Sequence, residues 1–435
     1  VGESKREILR FAQDDEAAPR LRGFSKWWEH HVTVVQANSE RSEQMLTTQW
    51  EASSVEVTRV RAELSELWRS WATLHGAPSG DILPGDREQV FMRPSTVNVI
   101  AVTETIEEAQ RSAELLLSLP DYSPSRSIVL ARHGAEGGQP FSIQLFVDER
   151  VLHRSSSPTR IEVIVISAPP GHDEALASIA TTLLVPDLPD VLYVPFEPVA
   201  PNPLLHNLRE SCDGILVDTV SARDAGASLE FLRACASIRN TLGLGDLVWT
   251  RLRTWRDLIA QFYDQPTALA SLEFITDVQI VHAPAGPDVR SGRTAALLIA
   301  GWLASRLGWR TPGELIPTDT GYRLTLRSGG RGKSREVLLH ISEGTSDFSC
   351  ASLERVTLTA TGDQASTFSV ERVGESAIMT SSSTPHVRDM TRLVHSSCPP
   401  DNVILAAKLR RLRVDPVYRD ALEIAATLWP EGFDL

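Results

Sequence analysis

Hydrophobic positions recur along this chain with two different periods. A spacing of three to four residues marks helices, and a period of two or an unbroken short apolar run marks strands. Val57, Val60, Leu64, Leu67, Trp68 and Trp71 share one helical stripe and predict an amphipathic helix. Beyond a Gly/Pro-rich loop, the stretches 93–104, 125–132, 141–147, 160–167, 190–196 and 213–219 are rich in β-branched and apolar residues and predict strands. Helical patterns at 105–119, 173–183, 203–211 and 227–242 are interleaved with them. Strand and helix in alternation predict βαβ units, so residues 93–245 are expected to form an α/β layer with an apolar central sheet.

The pattern then changes. A strand at 271–283 and a strongly apolar helix at 293–309 are followed by a hairpin over 321–342. Strands at 353–361, 366–374 and 376–383 and helices at 400–412 and 415–429 complete the chain, the last opening on Asp415 as N-cap and Pro416 at its first position. The expected fold class is therefore an α/β N-terminal domain followed by an α+β C-terminal domain with an antiparallel sheet. The expected boundaries are 55–270 and 271–435, with 1–54 a doubtful, poorly ordered extension because it is highly charged and lacks an apolar period.

Composition narrows the function classes. The chain has 435 residues and a formal net charge of −13. That charge disfavours a nucleic-acid binder, which needs a basic footprint, and docking on an anionic membrane. The longest apolar run, Ala295–Ala304, is too short to span a bilayer and Arg306 follows it. Cys212, Cys235, Cys350 and Cys398 form no CxxC pair, so four reduced thiols in a cytoplasmic protein are expected.

Candidate chemistry is sparse. GGRGKS at 329–334 lacks the leading glycine of a phosphate loop, because Arg327 stands there, and strand rather than helix follows. GLG at 243–245 reads as the stop of the preceding helix. The histidines make no two-ligand helix motif, and His395 with Cys398 cannot close a zinc site. No catalytic residue, metal ligand or cofactor site is assigned.

Two stretches remain. In LVWTRLRTWRDLIAQFYD (247–264), Val248, Leu252, Trp255, Ile259 and Phe262 form a core stripe. Thr254 with Asp257 resembles a capping box and predicts a helix start near Thr254. Arg251 and Arg256 flank the stripe, placed for interdomain salt bridges, while Arg253 and Asp257 point away from it. In LLVPDLPDVLYVPF (183–196), Pro186 and Pro189 bracket Asp187 in a rigid turn that is either structural or a binding loop.

Five segments in order resemble the glucose-6-phosphate dehydrogenase assembly (OpcA) family: RPSTVNVIAV (93–102), LLVPDLPDVLY (183–193), WTRLRTWRDLIAQFYD (249–264), AALLIAGWLASRLGW (295–309) and AAKLRRLRVDPVYRDAL (406–422). The helix at 57–71 is similar to one that opens cyanobacterial members, so the resemblance covers about 55–435. The family commonly has Leu-Thr-Pro-Trp-Arg where this chain has Leu252-Arg253-Thr254-Trp255-Arg256. The resemblance implies a non-enzymatic cytoplasmic factor that assembles or allosterically activates glucose-6-phosphate dehydrogenase, without nucleic acid or membrane. Arg251, Arg253, Trp255, Arg256, Asp257, Pro186, Asp187 and Pro189 are then the expected partner-binding or interdomain residues. The alternative is a sugar-phosphate-binding protein or enzyme that uses the strand-end crevice of the α/β domain, with Arg251, Arg253 and Arg256 meeting the phosphate.

Overall fold

The computed structural model describes residues 46–51, 60–66, 96–120, 125–132, 142–150, 159–195, 202–222, 224–284, 292–310, 313–328, 335–346, 348, 352–385 and 387–429. Two sheets organise them. The first holds β1 (Leu46–Glu51), β2 (Val97–Thr103), β3 (Ser125–Arg132), β4 (Ser142–Arg150), β5 (Thr159–Ala168), β6 (Asp190–Val194), β7 (Gly214–Val217) and β8 (Gly243–Asp246), in the order β1-β4-β5-β3-β2-β6-β7-β8. From β5 to β8 every pairing is parallel. This is the strand order of a doubly wound nucleotide-type sheet, with its switch point between β2 and β6. The antiparallel β4 and β1 extend the β5 edge. Thus Leu46–Glu51, inside the segment expected to be an extension, is an edge strand.

The second sheet holds β9 (Ile275–His282), β10 (Trp309–Arg310), β11 (Ile316–Thr318), β12 (Gly321–Ser328), β13 (Arg335–Glu343), β14 (Leu353–Ala360), β15 (Ser366–Gly374), β16 (Ala377–Thr384) and β17 (Val387–His395). Its order is β10-β12-β13-β9-β14-β15-β16-β17, antiparallel except for β9 with β13. Alternation along β13, β14 and β15 buries one face only, which is why these strands show a period of two.

Helices cover the sheets. They are α1 (60–66), α2 (Ile106–Leu117), α3 (Asp173–Leu183), α4 (Pro203–Arg209), α5 (Ala225–Ile238), α6 (Leu247–Arg251), α7 (Arg253–Gln261), α8 (Pro266–Ser271), α9 (Arg293–Leu307), α10 (Asp401–Leu409) and α11 (Pro416–Leu428). Thr294 to Gly301 of α9 are all buried. A helix apolar on every side must be surrounded, and α9 packs against α11, α5, α6 and β9.

The last two helices return to the first sheet. Asn402 of α10 donates to the Ser118 carbonyl at the end of α2. Leu412 packs on Gly214 and Gly243, and Lys408 on Gly245, where any Cβ would meet those side chains. The expected helix stop at 243–245 is therefore strand β8, and its glycines let α10 approach the sheet. Arg419 of α11 caps the end of α5 by donating to the carbonyls of Ala236, Arg239 and Leu242. One continuous apolar cluster runs through both sheets and α11.

Asp415 and Pro416 open α11 as the sequence implies, with Asp415 accepting from the Tyr418 amide. Strand β17 has no counterpart among the sequence expectations. Cys398 is disulfide-bonded, which corrects the expectation of four reduced thiols, whereas Cys212 and Cys235 are free and buried. No helix among the described residues is long and apolar enough to cross a membrane.

Candidate functional site

The ligand end of a doubly wound sheet is the carboxyl end of its strands, at the switch point. Four loops meet there. Glu104 follows β2, Arg132 ends β3, Asp173 opens α3 after β5, and Asn202 caps α4 after β6. Arg132 pairs with Glu104 at 3.0 Å and with Asp173 at 2.7 Å. Asn202 donates to Glu104 at 2.6 Å. The capping box of α2 takes up the Glu108 amide of its first turn and the two amides before it. Thr105 accepts from Glu108 N, and the Glu108 carboxylate accepts from Glu104 N and Thr105 N. A phosphate here would meet two carboxylates, Glu104 and Asp173, already paired with Arg132. At about 4 Å, one such repulsion costs on the order of 4 kcal/mol at an effective dielectric near 20.

A second charged cluster lies at the carboxyl ends of β7 and β8. Arg251 forms a bidentate pair with Asp218, at 2.7 and 2.9 Å, and also binds Asp401 of α10 at 2.9 Å. Burial alone lowers the Arg251 pKa, but the two carboxylates outweigh it and raise the value above the ordinary one. Asp246 is fully buried and accepts from Thr219 Oγ1 at 2.5 Å and from Val248 N at 2.8 Å. Burial pushes its carboxyl up to about 6.

That shift has a sign. A carboxyl raised on folding binds its proton more tightly in the folded chain, so it favours the folded state below about pH 4. The advantage fades as the pH rises through about 6. Asp246→Asn should flatten the fall in melting temperature between about pH 4 and 6.5, measured against wild type.

Trp249 ties the cluster to the last helix. Its indole donates to Asp415 at 3.1 Å and its ring stands 5.5 Å from Tyr418. Arg256 stacks over the Trp249 ring at 3.4 Å and donates to the Trp249 carbonyl at 2.7 Å. Burial lowers its pKa to about 10. Arg256 is thus a stacked cation and not the salt-bridge former expected from sequence.

The 247–264 run is two helices rather than one. Helix α6 is capped by Asp246, and α7 starts at Arg253 with Leu252 as an uncapped N-cap. The expected Thr254/Asp257 capping box is absent because α7 starts at Arg253, one residue after α6 ends, which places Thr254 inside the helix. Val248, Leu252, Trp255 and Ile259 are buried. Arg253 and Asp257 are exposed and pair with each other at 3.6 Å. Burial raises the Asp257 pKa.

Pro186, Asp187 and Pro189 lie at the opposite, amino end of the sheet. The fully buried Asn98 of β2 holds this turn: it donates to Val185 O at 2.9 Å and Asp190 Oδ1 at 2.8 Å, and accepts from Val185 N at 3.1 Å. Burial raises the Asp190 pKa, which the Asn98 hydrogen bond opposes. The eight sequence candidates therefore form two groups, separated by the length of β6 to β8, roughly 15 Å. Asp218, Asp401, Glu104, Arg132 and Asn98 were not singled out from sequence. The one available signal was position, since Asp218 and Glu104 directly follow apolar strands.

The fold and its ends define a nucleotide-type α/β protein whose strand-end crevice is occupied by its own charged side chains. Residues 119–234 match the family model described as the glucose-6-phosphate dehydrogenase subunit N-terminal domain, and 242–422 match the corresponding C-terminal domain. The chain belongs to this OpcA family of glucose-6-phosphate dehydrogenase subunits.

An OxPP cycle protein OpcA of Nostoc punctiforme is 33% identical over 37% of this chain and 33% of its own length. That of Synechococcus elongatus is 28% identical over 46% of this chain and 43% of its own. The matched stretches thus span less than half of these curated relatives. An NAD binding oxidoreductase from Klebsiella pneumoniae overlays at a TM-score of 0.35 and 8% identity, over 77% of this chain and 96% of that one. A likeness at that level carries no functional argument.

Proposed function

We infer that the chain is a non-enzymatic subunit that binds glucose-6-phosphate dehydrogenase and favours its assembled, active state. The observation that carries this reading is the closed carboxyl end of the parallel sheet. Glu104, Arg132, Asp173 and Asn202 bind one another at the switch point. The arginines that the sugar-phosphate alternative needs are spent on Asp218 and Asp401, on Trp249, or on Asp257. What remains on offer is surface: the exposed Arg253–Asp257 pair at one end, and Pro186, Asp187 and Pro189 at the other.

An activator must bind the active state more tightly than the inactive one. A tenfold preference corresponds to about 1.4 kcal/mol. The test is co-purification with the cognate dehydrogenase, then its activity with and without this chain. A complex is expected, with activity rising to saturation. The dehydrogenase substrate should tighten the complex by the same factor by which the complex tightens substrate binding. Absence of a complex, together with an unchanged substrate dependence, sinks the reading.

A further inference from the structure

We propose that two copies of this chain associate through β17, strand against strand, so that their nine-stranded sheets join edge to edge. The two-fold axis stands normal to the sheet at Thr391. This contact does not depend on the dehydrogenase-binding reading. Among the described residues β17 pairs with β16 alone and ends its sheet. Alternate residues of such an edge turn their amides and carbonyls away from the sheet. The opposite edge is handled differently. There β10 and β11, two and three residues long, cover the two ends of β12. Short edge strands give an incoming strand little to pair with. β17 runs for nine residues, Val387–His395.

The side chains of β17 stand in water on both faces. Arg388 to Leu393 are all exposed, Met390 at 53% and Leu393 at 68%. Met390 lies opposite Ser382 and Leu393 opposite Met379 in the β16 register. An odd spacing along a strand puts the two on opposite faces of the sheet. A lid over one face would leave the other apolar side chain in water. An added strand covers both, because its own side chains alternate in the same way.

The charges of β17 admit a second copy in one register. Antiparallel pairing about the two-fold sets Thr391 opposite Thr391 of the second copy, Met390 opposite its Arg392, Leu393 opposite its Asp389 and Val394 opposite its Arg388. No like charges face each other. The arginine stems lie along Met390 and Val394 while their guanidinium groups reach water. Facing threonines are a favourable cross-strand pair. Sliding by one pair in either direction sets Arg392 opposite Arg392 or opposite Arg388. Like charges directly opposite destabilise a ladder. Exposed charge on an edge strand guards against unspecific pairing. Here it disfavours the neighbouring registers and leaves the one centred on Thr391 open. The bulge of β17, where the register shifts between the Ser382–Met390 and Thr384–Val387 pairs, lies ahead of Met390 and leaves the residues around Thr391 in regular pairing. Five residues on each strand then exchange about four to six backbone hydrogen bonds. One strand pair is a small interface, so the dimer forms reversibly at micromolar concentration.

The test uses the full chain. Sedimentation velocity over a micromolar dilution series should show wild type passing from one to two chain masses. Met390→Lys sets a lysine opposite Arg392 of the other copy and should weaken self-association by about tenfold or more. Met390→Lys with Arg392→Glu turns the same contact into an opposite-charge pair and should restore the affinity to within about threefold of wild type. Leu269→Lys, at an exposed position of α8, should leave it within about twofold. Thr391→Cys should give a disulfide-linked dimer on mild oxidation, because its Cα stands about 5 Å from its counterpart across the axis. Ser381→Cys, opposite Thr391 on β16, should not, since the two copies of that residue are three strand spacings apart, about 14 Å. All these positions are exposed or half-buried, so melting temperatures should stay near wild type. If Met390→Lys melts early, the Thr391→Cys and Ser381→Cys comparison decides alone. A wild type that keeps one chain mass throughout, with no Thr391→Cys cross-link, overturns the proposal. A dimer that Met390→Lys leaves unchanged lies elsewhere on the chain and also overturns it. A dimer lost in Met390→Lys and not restored by Arg392→Glu overturns the register and with it the proposal. If wild type is a monomer and Met390→Lys loses binding to the purified dehydrogenase, the edge belongs to that partner and the second-copy assignment falls.

Discussion

Arg251→Ala is expected to lose about 3–5 kcal/mol of stability. The guanidinium is the one cation within ion-pair distance of both Asp218 and Asp401 among the described residues. The side chains of Arg251 and Asp218 are only 11% and 9% exposed. Truncating Arg251 leaves two carboxylates facing each other beside the buried Asp246, with little water to screen them. The loss therefore reflects uncompensated charge more than the net worth of the pair, which is small once desolvation is counted. Two companions separate these contributions. Asp401→Asn removes the more exposed partner, 32% accessible, and should cost clearly less. Replacing Arg251 and Asp218 together by Met and Leu should recover most of the loss. Urea denaturation reads all three. A loss under about 1 kcal/mol for Arg251→Ala would mean that water already reaches the cluster.

Trp255→Ala should cost a similar amount, about 3–5 kcal/mol, through a different cause. The indole is 3% exposed in the cluster that spans both sheets. Helix α7 packs its inner face on β15, and Phe262 and Tyr263 just beyond it place their rings 5.2 and 5.0 Å from Phe368. Removing the indole leaves a cavity that these fixed rings cannot fill. Arg253→Ala, two positions earlier on the solvent side, should change stability by no more than about 0.5 kcal/mol. The denaturation midpoint should fall with the slope unchanged, since the same surface is exposed on unfolding. A Trp255→Ala protein that melts like wild type but no longer binds the dehydrogenase would move Trp255 from core to interface.

The sequence made most elements legible because their side chains face two clearly different environments. Helix α3 at Asp173–Leu183 and strands β3 and β15 sit where the periodicity places them. Strand β8 was hidden because Gly-Leu-Gly-Asp carries almost no side-chain pattern, its glycines being set by what α10 needs. Strand β17 was hidden for another reason. It is an edge, and Arg388, Asp389 and Arg392 are exposed, so no alternation survives. The capping box at Thr254 failed because α7 begins before Thr254, directly after α6. At the candidate site, the chemistry of Arg251 was visible but its partners were not. Asp218 and Asp401 stand 33 and 150 positions away in the chain, and only the return of α10 to the first sheet joins them. The Pro-Asp-Leu-Pro turn was visible as a rigid element. The buried Asn98 that holds it lies 87 positions from Val185 and leaves no local trace.

The return of α10 and α11 also sets a timetable. The chain leaves the ribosome from its amino end, and β8 is made before the helix that covers it. Asp246 is fully buried in the finished fold, yet Asp401, Lys408 and Asp415 around it are not synthesised until some 155 residues later. At 5–20 residues per second that interval is roughly 10–30 s. During it the outer strands of the first sheet expose Gly214, Gly243 and Gly245 with no helix over them. A chain that stops short of α10 lacks the Lys408 and Leu412 side chains that cover those glycines.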